Sequence, residues 1–309
     1  MVQKLDSFSN ETLDDYPNSQ LKSVELFNLF SERFNAIFVS VQNYLVNTVE
    51  HLVLGILLYV TICIILFYVI TQWKFIKFSR DMRNSKRLLF VIAHPDDEVM
   101  FFGPTIFHYI KKDCIVFLMC LSTGKNYGMG KVRRNELYRS CKVLGIKQEN
   151  IFIYNHTSLP DSIEAKWPLE VISNQVLYLV DALNITNLIT FDKYGISGHQ
   201  NHCCIYYAIA NLILDRQLPK FCGVFVLETV NILRKYSLFL DIPFSMLSSR
   251  FMYMHGFKQR SVMHKAMKKH KSQLVWFRTL YMIFSRYMLV NTLQQVNLVD
   301  IELDLELDD

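Results

Sequence analysis

The chain has 309 residues, of which 51% are hydrophobic and 20% are charged, and this length allows one or two domains with a full core. The composition, which includes 23 Phe, excludes an intrinsically disordered chain, and ten Gly with seven Pro are too few for a collagen-like or linker-rich one. The net charge of +5 is too small to indicate nucleic acid as a partner, so we expect none.

The first predicted element is a transmembrane helix over residues 52–72. From Leu52 to Ile70, nineteen consecutive residues carry no charge, and at about 1.5 Å per residue this run nearly spans a hydrocarbon core of about 30 Å. A buried helix of a soluble core is the alternative, which the lack of a polar face disfavours. Because the run lies well inside the chain and lacks a basic start, it predicts an uncleaved anchor and not a signal peptide.

The charges on the two sides of this run predict its orientation. Residues 1–51 contain seven acidic and three basic residues, whereas residues 74–87 contain six basic residues and one acidic residue. Basic residues stay on the cytoplasmic side of a membrane. We therefore expect 1–51 to be lumenal or extracellular, and the basic linker 73–87 and everything after it to be cytosolic. Seven cysteines without a CxxC pair agree, because free thiols suit a reducing compartment.

In the predicted main domain, residues 88–299, short apolar runs alternate with longer amphipathic segments. The apolar runs predict strands at Leu88–Ala93, Cys114–Leu121, Asn150–Tyr154, Asn187–Phe191 and Gly223–Leu227. Helices are predicted over about 98–111, 132–144, 169–183 and 202–215, with Gly145 as the C-cap of the second. This alternation predicts a Rossmann-like, doubly wound α/β fold with a mostly parallel sheet. Residues 300–309 form an acidic tail to which we assign no function.

Unusual polar side chains follow the first and fourth predicted strands. The sequence AHPDDE occupies 93–98, and DKYGISGHQNH occupies 192–202. In open α/β sheets, function collects outside the carboxyl ends of the strands. Carboxylates packed this closely repel one another unless a cation is present. A His and an Asp from one loop with a His from another form the three-ligand, open-position set of catalytic zinc sites, so the pair of motifs predicts a metal site.

Each motif also has a simpler interpretation when it is taken alone. The His-Pro-Asp-Asp sequence could be an ordinary helix start, in which the helix dipole favours the acids. His199 and His202 could be capping or surface residues. Their joint placement after two strands of one sheet is what favours a metal.

The two motifs, together with segments at 122–146 and 270–278, resemble the LmbE-like family of zinc N-deacetylases over about residues 88–295. Within that family the chain is most similar to the eukaryotic branch, whose substrate is the glycolipid N-acetylglucosaminyl-phosphatidylinositol. The resemblance implies Zn²⁺ as the cofactor, hydrolysis of the N-acetyl group as the second step of GPI-anchor biosynthesis, and a location in the endoplasmic reticulum membrane. A deacetylase of another N-acetylglucosaminyl conjugate and a membrane-tethered, non-catalytic binding protein remain as alternatives.

The resemblance also implies roles for individual residues. The metal ligands fall on His94, Asp97 and His202, and the general base falls on Asp96. The histidine that assists the oxyanion and the leaving group falls on His199. Five further residues match family elements and are expected to line the substrate site: Arg133, Arg134, Glu136, His270 and Gln273.

The C-terminal third has the composition of a surface that meets membrane lipids. Tyr236–Tyr253 and Trp276–Val290 mix apolar and aromatic residues with few charges, and Lys265–Lys271 is strongly basic. Such segments suit an interface with anionic headgroups. Amphipathic helices packed on the sheet are the alternative for each segment.

Overall fold

A computed structural model of the protein describes residues 18–72, 82, 85–124, 128–162 and 165–302. The chain divides into two compact units, Met1–Thr61 and Ile62–Asp309. Most of the predicted linker 73–87 and most of the acidic tail lie outside the described residues.

The first element is one long helix, α1, from Asn18 to Gln72. It contains the predicted transmembrane run but begins well before it. Between Glu25 and Thr71 it is long and apolar enough to cross a membrane. In the first unit its large apolar side chains lack protein cover, with Phe30 70% and Leu52 63% exposed. This apolar surface makes the helix a candidate membrane span.

The second unit is built on a seven-stranded sheet with the order β3-β2-β1-β4-β5-β7-β6. The first five strands run parallel, and β7 is antiparallel to both of its neighbours. The predicted mostly parallel sheet is therefore confirmed. The strands are β1 (Arg87–Ile92), β2 (Ile115–Cys120), β3 (Ile151–Ile153), β4 (Asn187–Phe191), β5 (Gly223–Leu227), β6 (Phe251–Met254) and β7 (Val290–Val296).

Helices connect the parallel strands and cover the sheet. They are α2 (Asp97–Met100), α3 (Gly103–Ile110), α4 (Gly130–Leu144), α5 (Leu169–Ala182), α6 (Gly195–Gly198), α7 (Gln200–Leu214), α8 (Ile232–Lys235), α9 (Ile242–Ser248), α10 (Phe257–Met267) and α11 (Trp276–Phe284). The single helix predicted over 98–111 is wrong: Pro104 lacks an N–H and fits only a first turn, so a second helix starts at Gly103. Gly145 ends α4 with a φ of 97°, as predicted.

The antiparallel strands β6 and β7 are absent from the sequence-based prediction. Hydrophobic periodicity misses β7 because Asn291 and Thr292 are both fully buried, whereas the pattern expects apolar side chains at such positions. The amide of Asn291 accepts hydrogen bonds from the Thr105 N–H and hydroxyl and donates to the Phe101 carbonyl. These contacts join β7 to the start of α3, which only the folded chain reveals.

The last turns of α1 belong to the second unit, which begins at Ile62. The Phe67 ring lies 4.8 Å from that of Phe257 and 6.3 Å from that of Phe239, measured between centroids. A small apolar cluster surrounds this contact: Leu66, Ile70, Leu238, Ile242, Met246, Met252, Met254, Leu289 and Val290. The end of the apolar helix is therefore fixed to the antiparallel side of the sheet.

Candidate active site

Three predicted ligands lie together at the carboxyl edge of the sheet. His94 follows β1, Asp97 begins α2, and His202 lies in the first turn of α7, beyond β4. Because β1 and β4 are paired parallel neighbours, their carboxyl ends meet at the same edge. One potential ligand atom from each residue lies within 4.8 Å of the other two, and all three side chains are buried. This group could hold a metal ion.

Asp97 supplies the negative charge of the cluster. Its Oδ2 accepts hydrogen bonds from the Ala93 and His94 backbone N–H groups, at 3.1 and 2.8 Å, and lies 3.5 Å from His202 Nε2. Burial alone would raise the pKa of this carboxyl, but His202 and His94 outweigh it and lower the pKa to about 2. Asp97 is therefore ionised and available as a ligand.

His202 is oriented by contacts on the side away from Asp97. Its ring stacks on Phe191 at 4.0 Å, and its Nδ1 lies 3.1 Å from the Gly195 carbonyl. An Nδ1–H that donates to this carbonyl leaves the Nε2 lone pair directed at Asp97. Within the described part of the chain, this buried Nε2 has no hydrogen-bond partner. A buried imidazole nitrogen without a partner, aimed at a carboxylate, fits a metal ligand.

His94 is oriented in the same manner from the opposite side. Its Nε2 lies 3.0 Å from the Asn201 amide and 3.2 Å from Asp161 Oδ1. With its amide oxygen towards His94, Asn201 also donates through its nitrogen to the Ser162 and Ala165 carbonyls, each at 3.1 Å. The hydrogen of the imidazole is thus on Nε2, and Nδ1 faces the cluster. Burial lowers the pKa of His94 to about 4, so the ring is neutral, as a ligand must be.

Asp96 lies beside the cluster in a strained backbone conformation. Its φ is 110°, in the region that favours glycine, and such strain persists at functional sites. The backbone N–H donates to Glu98 Oε2 at 2.9 Å, and the carboxylate forms an ion pair with Arg278. Burial raises the pKa of Asp96 to about 7, against the opposing effect of Arg278. A buried carboxyl of this kind can exchange a proton near neutral pH.

A buried polar network lies behind Asp96 and contains two of the predicted lining residues. Glu98 Oε1 accepts from the Ser140 hydroxyl at 2.6 Å and lies 2.7 Å from His270 Nε2. The Gln273 amide nitrogen lies 3.2 Å from His270 Nδ1, and its backbone carbonyl accepts from Arg278 at 3.2 Å. His270 and Gln273 therefore support the loop and the arginine that position Asp96.

The other three predicted lining residues occupy different places. Arg133 forms an ion pair with Asp161 at 2.8 Å, and Asp161 in turn contacts His94. Glu136 accepts from the Ser272 backbone N–H at 2.8 Å and from its hydroxyl, which fixes the segment between α10 and α11. Arg134 is exposed and contacts Tyr138 on its own helix.

His199 caps the start of α7 beside the cluster. Its Nδ1 accepts a hydrogen bond from the Asn201 backbone N–H at 3.3 Å, so the ring hydrogen is on Nε2. The ring lies 4.7 Å from that of His202 and 5.1 Å from that of His94. Burial and the neighbouring His202 lower the pKa of His199, which favours the neutral form with a donor at Nε2.

Four residues of the site were missed by the sequence analysis. Glu98 and Asn201 lie inside the two motifs. Their position there was a signal that they belong to the site, although neither was assigned a role. Asp161 comes from a segment without a distinguishing pattern. Arg278 ends the segment 270–278, which the family resemblance included without giving this arginine a role, and only the folded chain brings the two residues beside His94 and Asp96.

Comparisons with known proteins show the family of the chain. Residues 89–213 match the family described as GlcNAc-PI de-N-acetylase. The N-acetylglucosaminyl-phosphatidylinositol de-N-acetylase of Bos taurus is 42% identical over 211 residues, which cover 68% of this chain and 83% of that protein. A probable enzyme of the same name from Dictyostelium discoideum is 36% identical over 243 residues, covering 68% and 93%.

The fold is also similar to that of a solved deacetylase. The N,N'-diacetylchitobiose deacetylase of Pyrococcus horikoshii superposes with a TM-score of 0.53 and 17% identity, covering 71% of this chain and 88% of that one. At this identity the likeness shows the fold alone. From the sequence relatives we conclude that the chain is a deacetylase and belongs to the GlcNAc-PI de-N-acetylase family.

Proposed function

We propose that the chain hydrolyses the N-acetyl group of N-acetylglucosaminyl-phosphatidylinositol to give glucosaminyl-phosphatidylinositol and acetate, the second step of GPI-anchor biosynthesis. The observation that carries the proposal is the buried cluster of His94, Asp97 and His202, with Asp96 and His199 beside it. It occurs in a chain that is 42% identical to a protein named for that reaction.

We assign the metal ligands to His94, Asp97 and His202, with Zn²⁺ as the ion. Two imidazoles and one carboxylate suit zinc and leave a position open for water or substrate. Bound zinc would polarise the acetamide carbonyl and lower the pKa of water from about 15.7 towards 7.

Asp96 is the general base of the proposed mechanism. Its carboxylate accepts a proton from the attacking water, because it is adjacent to the ligand Asp97 and is held by Arg278. The same carboxyl then returns the proton to the glucosamine nitrogen as the C–N bond breaks. Acetate and a free amine result, and the residue regains its starting state.

His199 stabilises the charge that develops on the carbonyl oxygen. Because the Asn201 backbone N–H occupies Nδ1, the neutral ring presents Nε2–H as a donor. A fixed donor aimed at a developing oxyanion lowers the barrier without reorganisation. This assigns the oxyanion to His199 and the proton transfer to Asp96, which narrows the double role that the family resemblance implies for the histidine.

The proposed setting is the endoplasmic reticulum membrane, with the catalytic domain in the cytosol. Residues 52–72 form the single span, 1–51 the lumenal segment, 73–87 the cytosolic linker, and 88–299 the deacetylase domain before the tail 300–309. The apolar surface of α1 and the opposite charges of its flanks support this arrangement. The glycolipid substrate and the surrounding membrane lipids are the proposed partners.

Acetate release tests the function directly. The purified full-length chain is given vesicles containing N-acetylglucosaminyl-phosphatidylinositol, with and without a chelator, and in parallel a soluble N-acetylglucosamine conjugate. We expect release from the vesicles that stops with the chelator and returns when Zn²⁺ is added back. Preference for the soluble conjugate would favour the deacetylase of another conjugate, and no release from either substrate would favour the non-catalytic alternative.

A further inference from the structure

The end of α1 provides a scale for depth along the second unit. The Cys63 thiol lies 3.7 Å from the Leu240 carbonyl oxygen. Further along the helix, Thr71 lies beside Gly256, where an added Cβ would be 3.5 Å from the Thr71 Cβ. An α-helix rises about 12 Å between these two levels. Leu240 therefore contacts α1 about 12 Å deeper in the apolar run than Gly256 does.

This scale places part of the catalytic domain beside the proposed membrane span. One leaflet contributes about 15 Å of hydrocarbon. If the apolar run of α1 crosses the bilayer, the level of Cys63 lies well inside one leaflet. A segment packed against the helix at that level must then enter the leaflet with it.

The segment 231–249, which contains Leu240, has the surface that such a position requires. Its exposed large side chains are Ile232, Leu233, Tyr236, Phe244 and Leu247, of which Leu247 is 90% exposed. In water, so many exposed apolar side chains in one short segment are unfavourable, and they indicate a surface that something covers.

The charged residues of the same segment are turned inwards. Asp241 is buried, and its Oδ1 accepts a hydrogen bond from Arg234 Nε at 2.5 Å. Its Oδ2 lies 3.0 Å from Nε of Arg286, which is fully buried. Lys235 lies 3.4 Å from the Ile196 carbonyl. Charged groups that meet hydrocarbon face the protein interior and pair there, and this arrangement fits that requirement.

Helix α11 extends the apolar surface beside the same end of α1. Its exposed large side chains are Trp276, Phe277, Leu280, Ile283 and Phe284. Arg260, on α10, donates to the Met282 carbonyl at 2.6 Å, and Phe257 at the start of α10 contacts Phe67. The exposed residues of α11 therefore lie on an element joined through α10 to the apolar helix.

The two apolar elements also flank the metal cluster. Lys235 on α8 contacts Ile196 in α6, the short helix that leads to His199 and His202. Arg278 on α11 pairs with Asp96. Both elements with apolar outer surfaces therefore contact the surroundings of the metal cluster, and they meet each other where the Tyr236 ring lies 6.3 Å from that of Tyr281.

We propose that segment 231–249 and helix α11 insert into the cytosolic leaflet beside α1. The occupant of the apolar surface is the hydrocarbon of a phospholipid bilayer, and a lipid-linked substrate reaches the metal cluster along α8 and α11 without leaving the membrane. Entry of the substrate from the lipid rests on the proposed function, whereas the insertion rests on the contacts of α1 and the two apolar surfaces.

Quenching by brominated lipid measures the insertion without any catalysis. In the full-length chain, Trp73 and Trp276 are replaced by phenylalanine, and the buried Trp167 is kept as a background emission common to all variants and measured without the added tryptophan. This chain receives Leu247→Trp and is placed in nanodiscs of phosphatidylcholine brominated on its acyl chains. We expect emission to fall about twofold relative to unbrominated lipid, since a side chain in the leaflet contacts the bromines. Tyr178→Trp on α5, where the native side chain is 66% exposed, is the matched control and should not be quenched. Equal, weak quenching at both positions would overturn the proposal.

A second measurement tests the path of the substrate. Leu247→Glu and Leu233→Glu add a charge to the apolar surface without touching the core, and Tyr178→Glu is the control. We expect at least about tenfold slower acetate release from vesicles, because a carboxylate resists entry into hydrocarbon. Release from the soluble headgroup, N-acetylglucosaminyl-inositol phosphate, should be unchanged. Equal rates on both substrates, or equal losses on both, would contradict entry from the lipid. Strong quenching with no release from either substrate would overturn the proposed function and leave the insertion standing.

Discussion

At Asp96 and Asp97, two adjacent carboxyl groups have opposite electrostatic surroundings. Burial would raise the pKa of Asp97, but His202, His94 and the His94 backbone N–H outweigh it and lower the pKa to about 2. Burial raises the pKa of Asp96 to about 7, although the neighbouring Arg278 opposes this effect. Because the environments push the two pKa values apart, one carboxylate suits a cation and the other suits proton transfer.

This difference predicts separate effects for the two substitutions. Asp97→Ala should lose both bound zinc and turnover, since it removes a ligand. Asp96→Asn should keep the zinc and lose about 10² to 10⁴-fold in turnover, the usual contribution of a general base. Metal content of the purified proteins and acetate release are measured side by side. Near-normal turnover of Asp96→Asn would show that another group is the base.

The two sequence motifs identified the residues at this scale, but their chemical roles depend on neighbours that the motifs do not contain. Arg278 comes from α11, far along the chain, and its charge opposes the effect of burial on Asp96. Asp161 reaches His94 from the loop before α5. A sequence pattern cannot predict such contacts, because nothing in its periodicity relates these segments to the motifs.

Among the elements, the antiparallel strand β7 is stabilised by side-chain hydrogen bonds as well as by apolar packing. Asn291 is fully buried and bonds to Thr105 and Phe101, at the break between α2 and α3. It thereby satisfies backbone groups that lie close to the metal loop.

Replacing this residue should destabilise the second unit. Asn291→Leu leaves the Thr105 N–H and the Phe101 carbonyl without their side-chain partner, and each unsatisfied buried group costs about 1–3 kcal/mol. We expect the midpoint of thermal unfolding to fall by several degrees in detergent-solubilised protein. The control is Gln294→Leu, at an exposed position of the same strand, which should change the free energy of unfolding by no more than about 0.5 kcal/mol. Equal midpoints for the two variants would show that the Asn291 contacts contribute little.

At the scale of the whole molecule, the charges on the two sides of the apolar run predict the orientation of the proposed membrane span. Glycosylation sequons occur at Asn10, Asn155 and Asn184. In the proposed orientation only Asn10 is on the lumenal side, where the modification takes place.

Translation into microsomes therefore should add a single glycan. We expect one step in apparent mass that an endoglycosidase removes and that Asn10→Gln abolishes. The variants Asn155→Gln and Asn184→Gln should leave the step unchanged. Glycans at the two later positions would reverse the assigned orientation.

The sequence by itself determined the fold class, the apolar helix and the membership of a deacetylase family. These follow from local patterns: the charge-free run from Leu52 to Ile70, the alternation of buried strands with helices, and the two motifs at strand ends. Each pattern acts within a short stretch of chain, where hydrophobic periodicity and residue type suffice.

The tertiary structure alone decided which distant residues act on the site and where the antiparallel strands lie. Asp161, Arg278 and Asn291 meet their partners only when distant segments of the chain pack together. The packing of Phe67 against Phe239 and Phe257 likewise became visible only in the fold. Contacts between segments far apart in sequence depend on how whole elements pack, and no local pattern in the chain records them.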